Sequence, residues 1–170
     1  MGKKNFKLAY GGVLIAVGIL LPQVFHVLGE SAGMIFLPME LPVLLSGLLL
    51  GPMYGGCIGG IVPVLSSILT GMPPVPKLYF VMVEMIGYGI TTGFMRRNYS
   101  VWKSLIAGMI VGRGCYLVGV AAAVSLLELP EALGATFAMQ LLSGIPGILS
   151  QLLLIPILEK KLKKGGFTIV

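Results

Sequence analysis

The sequence predicts an all-α integral membrane protein with six transmembrane helices and both termini in the cytoplasm. Of its 170 residues, 56% are hydrophobic and only 11% are charged, and the mean hydropathy is +1.00. A soluble domain carries about 25% charged residues, so a soluble class is excluded. A spanning helix takes about 20 residues, so six spans leave only short loops. We therefore expect one six-helix membrane domain over residues 1–170.

The apolar segments divide the chain into six candidate spans. In order, they cover residues 8–27, 41–50, 57–70, 79–95, 101–127 and 133–158. The second and third segments are short for a bilayer, which predicts tilt, local thinning or flanks that continue the helix. Irregular backbone at membrane depth survives only where protein or water lines it, so the pattern also indicates a cavity.

Residues 37–76 predict a tight helical hairpin made by the second and third spans. Its two apolar segments are joined by residues 51–56, and Pro52 lacks the amide proton that would continue the first helix. Four glycines follow at intervals of four residues, which lets helix backbones approach closely in lipid; they are Gly47, Gly51, Gly55 and Gly59. The proline-rich residues 71–76 are stiff enough to act as a lid over an outer pocket.

The basic residues predict the orientation. All but two of the 12 Lys and Arg residues lie before the first span, between the fourth and fifth, or after the sixth. Positive charge stays in the cytoplasm, so both termini are expected inside, with only Lys77 on the outer face. Four acidic residues are expected at that outer face: Glu30, Glu40, Glu128 and Glu131.

The sequence offers little for catalysis or metal binding. His26 is the only histidine, so a His-Glu-x-x-His zinc site is excluded. There is no P-loop and no Gly-x-Ser-x-Gly nucleophile motif. Cys57 and Cys115 have no paired spacing. We predict no catalytic residue, no metal and no cofactor, and an enzyme is the least favoured class.

Two charges fall inside predicted spans, Glu84 in the fourth and Arg113 in the fifth. Each costs at least about 2.5–3.5 kcal/mol at the bilayer centre unless it is paired or hydrated. The two spans run antiparallel, so the charges could form a structural salt bridge or face one outward cavity and recognise a ligand. Both alternatives stay open from the sequence.

Other polar and aromatic residues complete the predicted substrate site. Gln140 in the sixth span lies at comparable depth, and His26 and Glu40 are expected at the outer rim. Tyr88 and Met72 would supply a phenolic hydroxyl and an apolar wall. The predicted substrate-binding set is Glu84, Arg113, Gln140, His26, Glu40, Tyr88 and Met72.

The first span carries Gly12 and Ala16, a pair of small residues four positions apart. Such a pair serves helix packing or forms a docking face for another membrane protein.

Several short motifs together resemble a known family. They are Phe36-Leu37-Pro38, Leu41-Pro42-Val43-Leu44-Leu45, Gly47-Leu48-Leu49, Gly51-Pro52-x-Tyr54-Gly55 and Gly71-Met72-Pro73-Pro74. The chain resembles the substrate-binding S components of energy-coupling factor (ECF) transporters. The six spans, the inside termini and the length agree with that family along the whole chain.

The resemblance implies a function and partners. Such proteins sit in the plasma membrane of prokaryotes and bind a vitamin or related micronutrient in a pocket near the outer face. That pocket draws on helices four to six and on the loops after the first and third spans. They hydrolyse nothing themselves; two cytoplasmic ATPases and a membrane T protein supply the energy. The loaded protein is thought to topple in the membrane to deliver its ligand.

The resemblance also implies a docking role and a range of substrates. Gly12 and Ala16 match the spacing of two alanines that contact the T protein in this family, with glycine replacing one alanine. The Leu-Pro-x-x-Leu-Pro-Val-Leu-Leu pattern resembles a branch with proposed substrates that include pantothenate, pyridoxine relatives and cobalamin precursors such as benzimidazoles.

Two other classes remain as alternatives. A self-sufficient, proton-coupled secondary carrier for a small molecule would use Glu84 as its proton site. A membrane-embedded enzyme or assembly factor is the third possibility.

Overall fold

The computed structural model describes residues 3–27, 35–126, 139 and 142–164, and the regular structure in these residues is helical. We number the helices in chain order. They are α1 (Lys3–Val27), α2 (Glu40–Leu50), α3 (Pro52–Thr70), α4 (Lys77–Met95), α5 (Val101–Leu126) and α6 (Ile145–Lys164). Each corresponds to one predicted span, although most of the predicted start of the sixth span lies outside the described residues.

Four of the described helices are long and apolar enough to cross a membrane. They cover residues 5–25, 52–70, 77–95 and 101–125. Helix α2 is equally apolar but has only 11 residues, which at about 1.5 Å per residue is shorter than a bilayer core. Helix α6 has 20 residues, and its last turns carry Glu159 and four lysines. The chain is a membrane protein.

The third helix begins before the span drawn from the sequence, so the alternative that a flank continues the helix is confirmed for α3. Residues 51–56 were expected to be a connection, whereas α3 already begins at Pro52 and has 19 residues. Proline fits the first turn of a helix because the amide it lacks has no helical partner there. Gly51 alone makes the break: its φ of 97° lies in the region that favours glycine, and its amide donates to the Gly47 carbonyl at 3.1 Å.

The glycines bring helices into backbone contact. A Cβ atom at Gly55 would overlap the Gly89 carbonyl of α4 and lie 2.8 Å from the Gly47 Cα of α2. A Cβ atom at Gly59 would likewise overlap the Met85 backbone of α4. The predicted four-residue spacing therefore packs α2 and α3 against α4 as well as against each other, as small residues do in membranes.

Helix α2 is the most enclosed element. Ten of its 11 residues are buried, and it contacts α1, α3, α4, α5 and α6. A helix that is apolar on all sides can lie in a protein core or in lipid, and the short α2 lies in the core. By contrast, α1 and α5 expose large apolar side chains such as Leu20 and Val118. The first residue of α2, Glu40, consequently lies in the interior of the bundle.

Basic residues tie the helices together at the end of the bundle where α1 begins. Lys7 Nζ donates to the Leu50 carbonyl at the end of α2, at 3.2 Å. Arg96, just after α4, pairs with Glu159 of α6 at 3.1 Å, and Lys163 pairs with the same carboxylate at 2.7 Å. These contacts fix the ends of α2, α4 and α6 at one end of the bundle.

Candidate functional site

One arginine joins three helices in the interior. Arg113 of α5 places Nη2 at 2.7 Å from Glu40 Oε1 of α2 and Nη1 at 2.9 Å from Glu84 Oε1 of α4. Tyr88, one turn after Glu84, donates its hydroxyl to the same Glu84 oxygen at 2.8 Å. We call Glu40, Glu84, Tyr88 and Arg113 the charge cluster.

The charge cluster is buried. Glu40 is 1% exposed, Glu84 is 3% exposed and Tyr88 is fully covered, while the Arg113 side chain is 16% exposed. Removing charges from water costs several kcal/mol per ion, which only mutual pairing and hydrogen bonds offset. Each charged group in the cluster has such a partner, so the arrangement is electrostatically self-consistent.

Local sequence explains how the cluster is assembled. Glu84 and Tyr88 are four residues apart and therefore lie on one face of α4. Gly112 precedes Arg113, and a Cβ atom there would overlap the Tyr88 ring and lie 2.9 Å from the Glu84 carbonyl. Glycine at this position lets α5 approach α4 closely enough for Arg113 to reach both carboxylates.

Helix α6 holds the turn that presents Glu40. Gln151 donates its Nε2 to the Leu37 carbonyl at 3.0 Å, and the Glu40 amide donates to the same oxygen at 3.1 Å. Leu37 has a φ of 50°, which is rare for a bulky residue and indicates local strain. The buried Gln151 side chain therefore positions the entry into α2.

Several polar atoms around the cluster have no hydrogen-bond partner among the described residues. These buried atoms are Glu40 Oε2, Arg113 Nε, Tyr116 Oη and Gln151 Oε1. Buried polar atoms in proteins are nearly always paired with protein or water. Four such atoms on α2, α5 and α6 therefore make the charge cluster a place where a polar ligand could form hydrogen bonds.

The comparison with known families identifies the chain. The family described as "ECF transporter, substrate-specific component" matches residues 6–159. This protein belongs to that family. The match includes every residue of the charge cluster. No curated protein and no solved structure gives a significant match.

Only some of the residues predicted for the site of this S component lie in the charge cluster. Glu84 and Arg113 meet each other, as one of the two sequence alternatives expected, and Tyr88 lies beside them. Glu40 was expected at the outer rim, and that prediction was wrong. Because α2 is short and enclosed, its first residue reaches the bundle interior and binds Arg113.

The remaining predicted residues are not part of the described cluster. Met72 lies in the loop after α3 with 43% of its surface exposed, and its backbone contacts run to Ser66 and Thr70. Gln140 lies outside the described residues, as do Glu30, Glu128 and Glu131 of the predicted outer face. His26 belongs to α1, but its side chain is also outside what the structure describes.

Gln151 was missed by sequence reasoning, whereas Tyr116 was considered as a phenolic group for the ligand without being placed in the predicted set. Gln151 is the one amide in the apolar stretch of α6, and an isolated polar side chain in a spanning segment is a usable signal. Tyr116 lies three residues after Arg113 in the sequence, and its side chain is buried. Its ring makes an edge-to-face contact with the Phe80 ring, and the two ring centroids are 6.2 Å apart. Because Arg113 and Tyr116 are three residues apart on α5, both lie on the face of that helix that carries the cluster.

The loop after α3 is fastened to that helix. Ser66 Oγ donates to the Met72 carbonyl at 2.8 Å, and Ser67 Oγ donates to the Pro73 carbonyl at 2.9 Å. Gly71 ends the helix with a φ of 75° and donates its amide to Ser67 O at 2.9 Å. These bonds hold residues 71–73 over the end of α3.

The small residues of α1 face away from the bundle. Gly12 and Ala16 are both exposed, and no atom lies within 4 Å of a Cβ built at Gly12. Gly18, by contrast, faces inward, where a Cβ would lie 2.9 Å from Val62. The pair is therefore accessible from the membrane.

Within the described part of the chain, no group of three or more His, Cys, Asp and Glu side chains could hold a metal ion.

Proposed function

We propose that this S component is the high-affinity substrate-binding subunit of an ATP-driven ECF importer for a vitamin or related micronutrient. It binds its substrate beside the charge cluster and catalyses no reaction. The observation that carries this proposal is the set of unpaired, buried polar atoms on Glu40, Arg113, Tyr116 and Gln151. Because buried polar atoms are nearly always hydrogen-bonded, a polar ligand beside the cluster would complete their pairing.

The depth of the cluster is compatible with entry from outside. Glu84 lies seven residues after the start of α4, which corresponds to about 10 Å along the helix axis. With six spans and cytoplasmic termini, that start lies at the outer face, and the loop of residues 71–76 lies over the same end. A substrate from outside therefore reaches the cluster through the outer half of the membrane.

The proposed partners are a membrane T protein and two cytoplasmic ATPases in the plasma membrane of a prokaryote. The exposed pair Gly12 and Ala16 offers a smooth face on α1 where a partner helix can approach closely. The subunit has no nucleotide-binding motif in its sequence, so ATP hydrolysis belongs to the partners.

Reconstitution tests this function. Small molecules that copurify with the protein are identified by mass spectrometry, and uptake of the identified compound is measured in proteoliposomes with and without the T protein and ATPases. We expect uptake that requires ATP and all partners, and none when the ATPases cannot hydrolyse ATP. Uptake by the subunit alone, driven by a proton gradient, would instead establish the proton-coupled carrier.

A further inference from the structure

We infer that the substrate presents a cationic or N–H-bearing nitrogen to the charge cluster, and that the site rejects a free carboxylate. This inference rests on the proposed function and specifies the chemistry of the substrate. It follows from which atoms of the cluster are already occupied and which remain free.

The cluster holds two acidic side chains and one basic side chain. Glu40 and Glu84 contribute two carboxylates, and Arg113 contributes one guanidinium. The other cation acting on Glu84 is Lys77, at the outer start of α4, and it forms no ion pair with either carboxylate among the described contacts. Because two acidic side chains share one guanidinium, a positively charged or N–H-donating substrate fits beside them better than a negatively charged one.

Arg113 could receive a substrate carboxylate only beside two other acidic side chains. Two of the five guanidinium N–H groups point to Glu84 and Glu40, one on Nη1 and one on Nη2. Nε is the nitrogen that remains unpaired. A carboxylate at Nε would lie close to two like charges, which disfavours its binding.

Two of the four free atoms can only accept hydrogen bonds. Glu40 Oε2 and Gln151 Oε1 are buried without partners, and the Gln151 side chain lies near the Glu40 carboxylate. The orientation of the Gln151 amide follows from its hydrogen bond to the Leu37 carbonyl. In the flipped orientation two acceptor oxygens would face each other, so Nε2 points to Leu37 and Oε1 remains unpaired. An ammonium or a ring N–H satisfies such acceptors.

This chemistry discriminates among the substrates that the sequence resemblance implied. Pyridoxamine carries an ammonium, and benzimidazole carries a ring N–H and a basic nitrogen, so both match the free acceptors. Pantothenate has an amide N–H, but its only charged group is a free carboxylate, so the two acidic side chains disfavour it. The site is therefore expected to accept nitrogen bases and to exclude pantothenate.

Matched compounds test the inference with the wild-type protein. Thermal stabilisation and calorimetric affinity are measured for three sets of compounds. The first set compares pyridoxamine, pyridoxine and the carboxylate 4-pyridoxate, and the second compares the carboxylate pantothenate with its alcohol panthenol. Benzimidazole is measured as the third. Any compound that copurifies is identified in the same preparation. We expect the cationic or uncharged compound of each series to bind at least tenfold more tightly than its carboxylate relative. We also expect the copurified compound to carry such a nitrogen.

A charge-removing variant adds a second readout. Glu40→Gln keeps the side-chain size and should weaken binding of the nitrogen base at least tenfold, with a smaller effect on its neutral analogue. Glu159→Gln is the matched control, because Glu159 is a buried glutamate paired with Arg96 and Lys163 away from the cluster. It should leave the preference among the compounds unchanged.

The outcomes separate the two proposals. A copurified or tightly bound compound whose only charged group is a carboxylate would overturn the inference while leaving the importer function intact. Failure of every compound to bind, with nothing copurifying and no ATP-dependent uptake, would overturn both.

Discussion

Arg113 binds Glu40 and Glu84 at once, at 2.7 Å and 2.9 Å, and so connects α2, α4 and α5 through one side chain. A pairwise salt bridge would link only two helices. Because one guanidinium pairs with two carboxyl groups, loss of the arginine leaves two buried carboxyl groups without their partner. Loss of one glutamate leaves the arginine paired with the other. The three residues therefore differ in what their removal does to stability.

The first prediction uses that asymmetry. Arg113→Met should destabilise the protein by about 3–5 kcal/mol, since breaking a buried ion pair leaves an uncompensated charge. Glu84→Gln should cost less, because Arg113 keeps Glu40. Adding Glu84→Gln to Arg113→Met should restore part of the lost stability, and adding Glu40→Gln as well should restore most of it. Melting temperatures of the variants in detergent measure these effects.

Affinity is measured separately in the same variants, so that stability and recognition can be distinguished. If the cluster recognises the substrate, the triple variant should regain stability but not binding of the copurified compound. Wild-type affinity in the triple variant would mean that the cluster is only a structural brace.

The second prediction concerns docking. Gly12→Leu combined with Ala16→Leu should block copurification with the T protein while leaving substrate binding intact, because both residues face outward. Ile110→Phe with Val118→Phe is the control, since these exposed α5 residues enlarge a different lipid-facing surface. A complex that assembles and transports normally with the α1 variants would contradict the docking role.

The sequence predicted the helices well because apolar length is a strong signal in membranes. It also predicted that Glu84 and Arg113 could meet, since they lie within neighbouring antiparallel spans. It misplaced Glu40, because a glutamate beside a proline-rich segment resembles an interfacial residue. Only the burial of the short α2 shows otherwise.

Other parts of the site depend on tertiary packing that no local pattern encodes. Gln151 reaches the Leu37 carbonyl across 114 residues of sequence. The start of α3 was misjudged for a local reason: glycines after Pro52 resemble a loop, yet in lipid they belong to a tightly packed helix.

The third prediction concerns the loop of residues 71–76. Val75 is 64% exposed, so Val75→Cys, in a background lacking Cys57 and Cys115, should react with an impermeant reagent added from outside. Substrate should slow that reaction if the loop covers the pocket. The background without the new cysteine is the control. Labelling only from the cytoplasmic side would reverse the proposed orientation.

The last prediction concerns the approach of α5 to α4. Gly112→Ala places a methyl group where the Tyr88 ring and the Glu84 carbonyl already lie, so α5 must shift and Arg113 must move away from Glu84. Overpacking of this kind typically costs about 1–3 kcal/mol, and substrate affinity should fall with stability.

Gly114→Ala is the matched control for that variant, because it lies on the same helix and no atom lies within 4 Å of its added Cβ. It should leave the melting temperature and affinity within error of wild type, or raise stability slightly through the higher helix propensity of alanine. Equal behaviour of the two variants would mean that contact between α4 and α5 at Gly112 does not hold the charge cluster together. Loss of affinity in Gly112→Ala alone would tie substrate binding to that contact, since the variant changes no charge and removes no polar group.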